Sequence, residues 1–208
     1  MTQKLILPFR SPVVVTAGYK CSGYTNYMKT TYNLSGMIHY GLDSVPTNGN
    51  KTIYGSGKGE VIAFGEGKAC GKVVVVRYDD VYNHVTKSAL KAVAVRYFHL
   101  DSFGPNLKVG MAVTTDTVLG VMGGTGTYGG GSNHKHLHCE VDTNYAKAVN
   151  TPTLKGSDGI LKSGTGTDTT FCAANIWHAK TAAPYNQKLS GTIDNKWVSS
   201  KDVTIPSL

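Results

Sequence analysis

Lys135-His136-Leu137-His138-Cys139-Glu140-Val141 is the stretch on which the reading of this chain turns. In an extended segment successive side chains point to opposite faces. His136 and His138 therefore project from one side, while Leu137, Cys139 and Val141 point to the other. One face packs and the other carries chemistry. Two imidazoles on one strand face present nitrogen ligands to a metal, although in a chain with seven histidines the same spacing also arises as a simple surface pair.

Upstream, His39-Tyr40-Gly41-Leu42-Asp43 adds a histidine and a carboxylate four positions on, with Gly41 allowing the sharp backbone that convergence outside a helix requires. Two imidazoles and one carboxylate are a usual set for catalytic zinc, with the fourth position left for water. The plainer alternative is a surface loop in which Asp43 caps a turn. A third histidine, His99, closes an apparent strand. By alternation it shares a face with Val93, Val95 and Tyr97, and Leu100 falls on the opposite face with Ala94, Arg96 and Phe98.

The rest of the chain supports a mainly β protein. Of 208 residues only 16% are charged, whereas 25 are Gly and 12 are Tyr, which favours short strands and tight turns. Strand patterns occur at 12–17, 59–64, 72–78, 91–100, 117–122 and 135–141. The run GGTGTYGGGS at 123–132 reads as an exposed, mobile loop because each glycine adds backbone entropy. After residue 142 strand signals thin out, reappearing only near 172–178 and 196–204. The chain thus divides into a domain at 1–142 and an extension at 143–208 that packs on or flanks it.

The net charge of +8 attracts polyanions, but no three Lys or Arg are consecutive. The clustered basic stripe of a nucleic-acid binder is missing, and dispersed charge suits a wall polymer at least as well. The cysteines Cys21, Cys70, Cys139 and Cys172 contain no CxxC pair; they allow up to two disulfides, with Cys139 read as a small buried side chain. No segment reaches the roughly 20 apolar residues of a membrane span. The start, MTQKLILPFRSP, has neither the h-region nor the cleavage site of a signal peptide. The expectation is a soluble chain beginning at its own Met1.

In order and spacing, residues 7–141 resemble the lysostaphin-type peptidoglycan endopeptidases. MIHYGLDSV at 37–45 looks like that family's metal motif. Tyr97-Phe98-His99-Leu100 looks like its strand end, and LGVMGGTG at 119–126 looks like the glycine turn before its HLHxE strand. The resemblance implies a small antiparallel, barrel-like β fold and a zinc metallopeptidase acting on bacterial peptidoglycan. It makes His39, Asp43 and His138 the zinc ligands and His99 and His136 the catalytic pair, their division of labour left open. It also implies a tyrosine upstream of the first ligand, with Tyr32 as candidate, and walls to the cleft from 123–132 and a loop at 24–35. His84, His134 and His178 match no family position and fall to surface or packing roles.

Where the family usually ends the loop with a small pair, this chain has Asn133, His134 and Lys135, adding bulk and charge beside the cleft. Two other roles suit the same fold: a catalytically inactive peptidoglycan binder, and a structural part of a phage particle. Without a leader, the protein would reach the cell wall through lysis or on a virion.

Overall fold

The computed structural model describes residues 1–35, 38–143, 169–191 and 197–208, and within them the fold is mainly β. In chain order the elements are β1 (Leu5–Ile6), β2 (Pro12–Ala17), α1 (Ser22–Tyr32), β3 (Gly41–Pro46), β4 (Thr52–Tyr54), β5 (Gly59–Gly67), β6 (Gly71–Asn83), β7 (Ser88–Phe103), β8 (Ala112–Val113), β9 (Val118–Met122), β10 (Leu137–Asp142), β11 (Thr170–Phe171), β12 (Trp177–His178) and β13 (Lys188–Gly191). One sheet runs in the order β13-β2-β3-β10-β7-β6-β5-β8, with β9 joining β7 to β4 and with β11 on β10. Pairings are antiparallel except β13 with β2 and the separate β1–β12 ladder, which are parallel.

Burial explains which residues form which strand. In β2 exposure alternates, with Val13, Val15 and Ala17 buried. In β6 the run Val73 to Val76 is buried throughout, because the sheet is covered on both faces there. Val74 and Val76 join the main core, whereas Val73 and Val75 pack in a second cluster with Cys70, Ala94 and Phe98. Each such valine contributes about 1.5–3 kcal/mol by leaving water. In β10, Leu137, Cys139 and Val141 enter the main core, as alternation predicts, and His138, Glu140 and Asp142 turn to the other side.

His99 breaks its predicted pattern. The strand does not end there; it continues to Phe103 and passes from β6 to β9, with register shifts on both ladders. His99 has φ 65°, in the left-handed region that non-glycine residues avoid. That one residue offsets the alternation. Leu100 joins Val93, Val95 and Tyr97 in the main core, and His99 comes to lie beside Phe98 on the other face.

Other expectations change as well. Residues 22–32 form a helix, not a loop; Met28 is its only buried residue, so no apolar stripe announces it. The glycine-rich segment is held in place by the Thr127 N–H donating to the Lys68 carbonyl (2.8 Å) and by the Thr125 hydroxyl, which donates to the Leu100 carbonyl (2.8 Å) and accepts from the Lys72 N–H (2.9 Å). A β-carbon on Gly126, at φ 81°, would strike the backbone of Gly71 and Ala69. Its glycines serve close approach as much as freedom. Around 196–204 the described residues hold a short 3-10 turn, Ser200–Asp202, and no strand; Lys196 lies outside them. The four cysteines form no disulfide, and Cys70, Cys139 and Cys172 are buried.

Beyond residue 143, the parts within the described residues enter the same core and sheet. Trp177 is fully buried, β13 lies beside β2, and the Gln187 side chain donates to the Leu7 and Phe9 carbonyls at 2.8 and 2.6 Å. Among the described residues no helix is long and apolar enough to cross a membrane.

Candidate metal centre

Strand pairing builds the centre. β3 and β10 are antiparallel with Asp43 directly opposite His138, which sets the two side chains on one face. His39 stands just before β3. Gly41, the first residue of β3, is not at a turn that needs positive φ; its role is space, since a β-carbon there would overlap the His138 ring.

The three side chains meet in a tight triangle. His39 Nε2 is 3.1 Å from His138 Nδ1 and 3.1 Å from Asp43 Oδ1, and His138 Nδ1 is 2.7 Å from Asp43 Oδ1. All three residues are buried. Their far sides are fixed. His39 Nδ1–H donates to the Gly18 carbonyl at 2.8 Å, and His138 Nε2–H donates to the Glu140 carboxylate at 3.2 Å. A carbonyl and a carboxylate can only accept, so the neutral rings turn their lone pairs inward, toward a carboxylate oxygen. Three lone-pair donors facing one another need a cation between them. Donors around a tetrahedral zinc at 2.0–2.1 Å stand about 3.3 Å apart, close to the observed spacing, so the donor set fits zinc.

The electrostatics agree. Burial alone would lift the Asp43 carboxyl, but His39, His136 and His138 together outweigh it and hold it well below the usual carboxylate range. Burial would lower His138, yet Asp43 and Glu140 on its two sides raise it to about 9.

Two further imidazoles flank the triangle. His136 sits just before β10, its Nδ1–H donating to the His134 carbonyl at 2.9 Å and its Nε2 lying 3.6 Å from Asp43 Oδ2. His99 lies 5.0 Å, ring to ring, from His136 and 5.8 Å from His138. Its Nδ1–H donates to the Thr125 carbonyl at 3.0 Å, which leaves Nε2 as the acceptor. Burial, reinforced by His136 and His138, pushes His99 down to about 3, so it stays neutral. Its strained backbone is of a kind that clusters at functional sites.

All five predicted site residues are thus brought together. The predicted tyrosine is not. Tyr32 ends α1 at 58% exposure, whereas Tyr24 on the same helix lines the cleft with its ring 4.6 Å from that of His39. Burial and the Asp43 carboxylate raise the Tyr24 phenol above its ordinary value, so it remains a donor. Tyr128 of the glycine-rich segment also lines the cleft. Lys135, noted as added charge there, pairs with Asp101.

Beneath the triangle lies a buried charge network. Arg96 reaches Glu140 Oε2 and Asp142 Oδ2, both at 3.3 Å, and all three side chains are fully buried. Thr169 donates to Asp142 at 2.6 Å. One guanidinium thereby balances the carboxylate that orients His138. Glu140 shares its strand parity with both histidines of the HLH segment, and that was the sequence signal for it.

Residues 37–151 match the profile of peptidase family M23, more than half of the chain, and the chain belongs to that family, as the lysostaphin-type resemblance implies. No curated protein sequence matches it. Among solved structures, the SpoIIQ–SpoIIIAH pore forming complex contains a chain of which 85% is covered by 68% of this one, at 18% identity and TM-score 0.52. A zinc containing peptidase from Vibrio cholerae is 23% identical over 67% of this chain, at TM-score 0.47. The catalytic domain of the prophage-encoded M23 protein EnpA from Enterococcus faecalis is 20% identical, covering 67% of this chain and 88% of that domain, at TM-score 0.45. This chain spans only 37% of the Vibrio protein. At these identities the likeness is one of fold.

Proposed function

We propose that the chain is a zinc metalloendopeptidase that hydrolyses peptide bonds of bacterial peptidoglycan, with His39, Asp43 and His138 as ligands. The observation that carries this reading is the triangle of inward lone pairs with two more imidazoles beside it. Zinc held there supplies Lewis acidity toward a scissile carbonyl and a water-derived nucleophile near neutral pH.

The chain's own residues do the rest. His99 and His136 share the two proton transfers, one taking the proton of the attacking water on an unprotonated ring nitrogen and the other giving a proton to the departing amine; each such transfer contributes roughly 10²- to 10⁴-fold. Glu140 holds the His138 ring with Nδ1 toward the triangle. Tyr24 stands as a neutral donor at the wall formed by α1. The protein would act at the cell wall.

The test is digestion of purified peptidoglycan with zinc present and after chelation, followed by assay of newly freed amino groups. The reading expects new amines with zinc alone. Binding to the wall with no new amines under either condition would favour instead a non-catalytic, particle-borne role on the same fold.

A further inference from the structure

We infer that the C-terminal segment starting at Trp197 is a strap that positions His39 for metal binding. Trp197 is connected to that ligand by two routes. Along the backbone, His39 Nδ1–H donates to the Gly18 carbonyl (2.8 Å), and the Gly18 N–H donates to the Trp197 carbonyl (2.6 Å). Through the rings, Trp197 meets Tyr24 edge-on at 5.6 Å, and Tyr24 lies 4.6 Å from His39. Tyr27, one turn along α1, also packs on Trp197, at 4.6 Å between ring centres.

The strap is itself fixed. Ser199 donates to Asp202 Oδ2 through its N–H (2.9 Å) and its hydroxyl (2.8 Å), and the Asp202 N–H returns to the Ser199 carbonyl at 3.0 Å. Asp202 is buried and also accepts from the Cys172 thiol at 3.5 Å. It presses so closely on Gly18 that a β-carbon there would overlap its carboxylate. Only glycine lets residue 18 lie between the strap and the ligand. Gly18 and Trp197 both fall outside the stretch that matches the family, 37–151, so this support belongs to the chain's flanking segments.

A partner on the far nitrogen of a ligating histidine fixes the tautomer and aims the ring, and losing such a partner costs 10- to 100-fold in metal affinity. Trp197 is accordingly a positioning residue. The inference rests on His39 being a zinc ligand, as proposed above.

The test is zinc affinity of the full-length protein by competition with a chromogenic chelator, alongside thermal melting. Trp197→Ala and Gly18→Ala should each bind zinc on the order of 10-fold more weakly, and Trp197→Phe, which keeps a ring against Tyr24, should bind nearly as wild type does. Leu189→Ala, a core residue of β13 paired with Val13, should lower the melting temperature and leave zinc affinity intact. Wild-type affinity in Trp197→Ala and Gly18→Ala overturns the strap. So does a loss in Leu189→Ala equal to theirs, since general loosening would then suffice. His39→Ala separates the two readings: if it still binds zinc as wild type does, the metal centre has been misassigned, whereas if it loses zinc and Trp197→Ala does not, only the strap fails.

Discussion

His138 stands directly across the β3–β10 ladder from Asp43, with Nδ1 2.7 Å from Oδ1. Cross-strand neighbours on one face are the closest side chains a sheet can offer, so the register of a single strand pair places two of the three proposed ligands. The space for them comes from Gly41. Gly41→Ala should push the His138 ring away from the triangle and lower zinc occupancy of the purified protein, while the alternating core of β10 keeps the fold. Full occupancy in Gly41→Ala, measured by elemental analysis, would show that the triangle tolerates a displaced imidazole.

His99 and His136 are expected to act on the reaction and not on the metal. Replacing either by Ala should leave zinc bound and lower kcat far more than it raises KM, by about 10²-fold or more, because such a group assists only as bonds change. Kinetics on a soluble wall peptide with parallel zinc analysis checks this. A zinc-free His136→Ala would contradict the division between ligand and acid/base roles.

Arg96 is flanked by Glu140 and Asp142, with all three side chains out of water. Arg96→Met leaves two carboxylates buried together without their cation, and breaking a buried pair in this way costs about 3–5 kcal/mol. Denaturant melts should show a loss of that order. A loss under 1 kcal/mol would mean that water or a second cation compensates the carboxylates.

Trp177 lies in the main core, and β12 pairs with β1 near the N-terminus. Trp177→Ala should destabilise the whole protein by about 3–5 kcal/mol, and unfolding should stay a single transition. Two separable transitions would indicate that the segment beyond residue 143 folds independently of the rest.

What the sequence disclosed follows the range of the forces involved. Period-two patterns at 12–17 and 135–141 are local, and those strands form where the pattern lies. The convergence of His39, Asp43 and His138 was an implication of the family resemblance, whose motif spacing survives in the chain although His138 lies 99 and 95 residues from the other two. α1 was not legible: a helix that buries only Met28 carries no apolar period. The face of His99 was misread because alternation assumes an unbroken strand, and one residue at φ 65° reverses parity beyond it. Glu140 lay on the right face, but whether a carboxylate can be buried depends on Arg96, 44 residues away, across a ladder. The Gly18–Trp197 link runs between backbone groups, which no side-chain pattern encodes.

The most direct test of the account is the zinc content of the wild-type protein beside His138→Ala and Asp43→Ala, each confirmed folded by circular dichroism. One zinc per chain is expected in the wild type and almost none in either variant, with hydrolysis of wall peptides lost in step. Equal zinc in the wild type and His138→Ala would contradict the assignment of the His39–Asp43–His138 triangle as the metal centre.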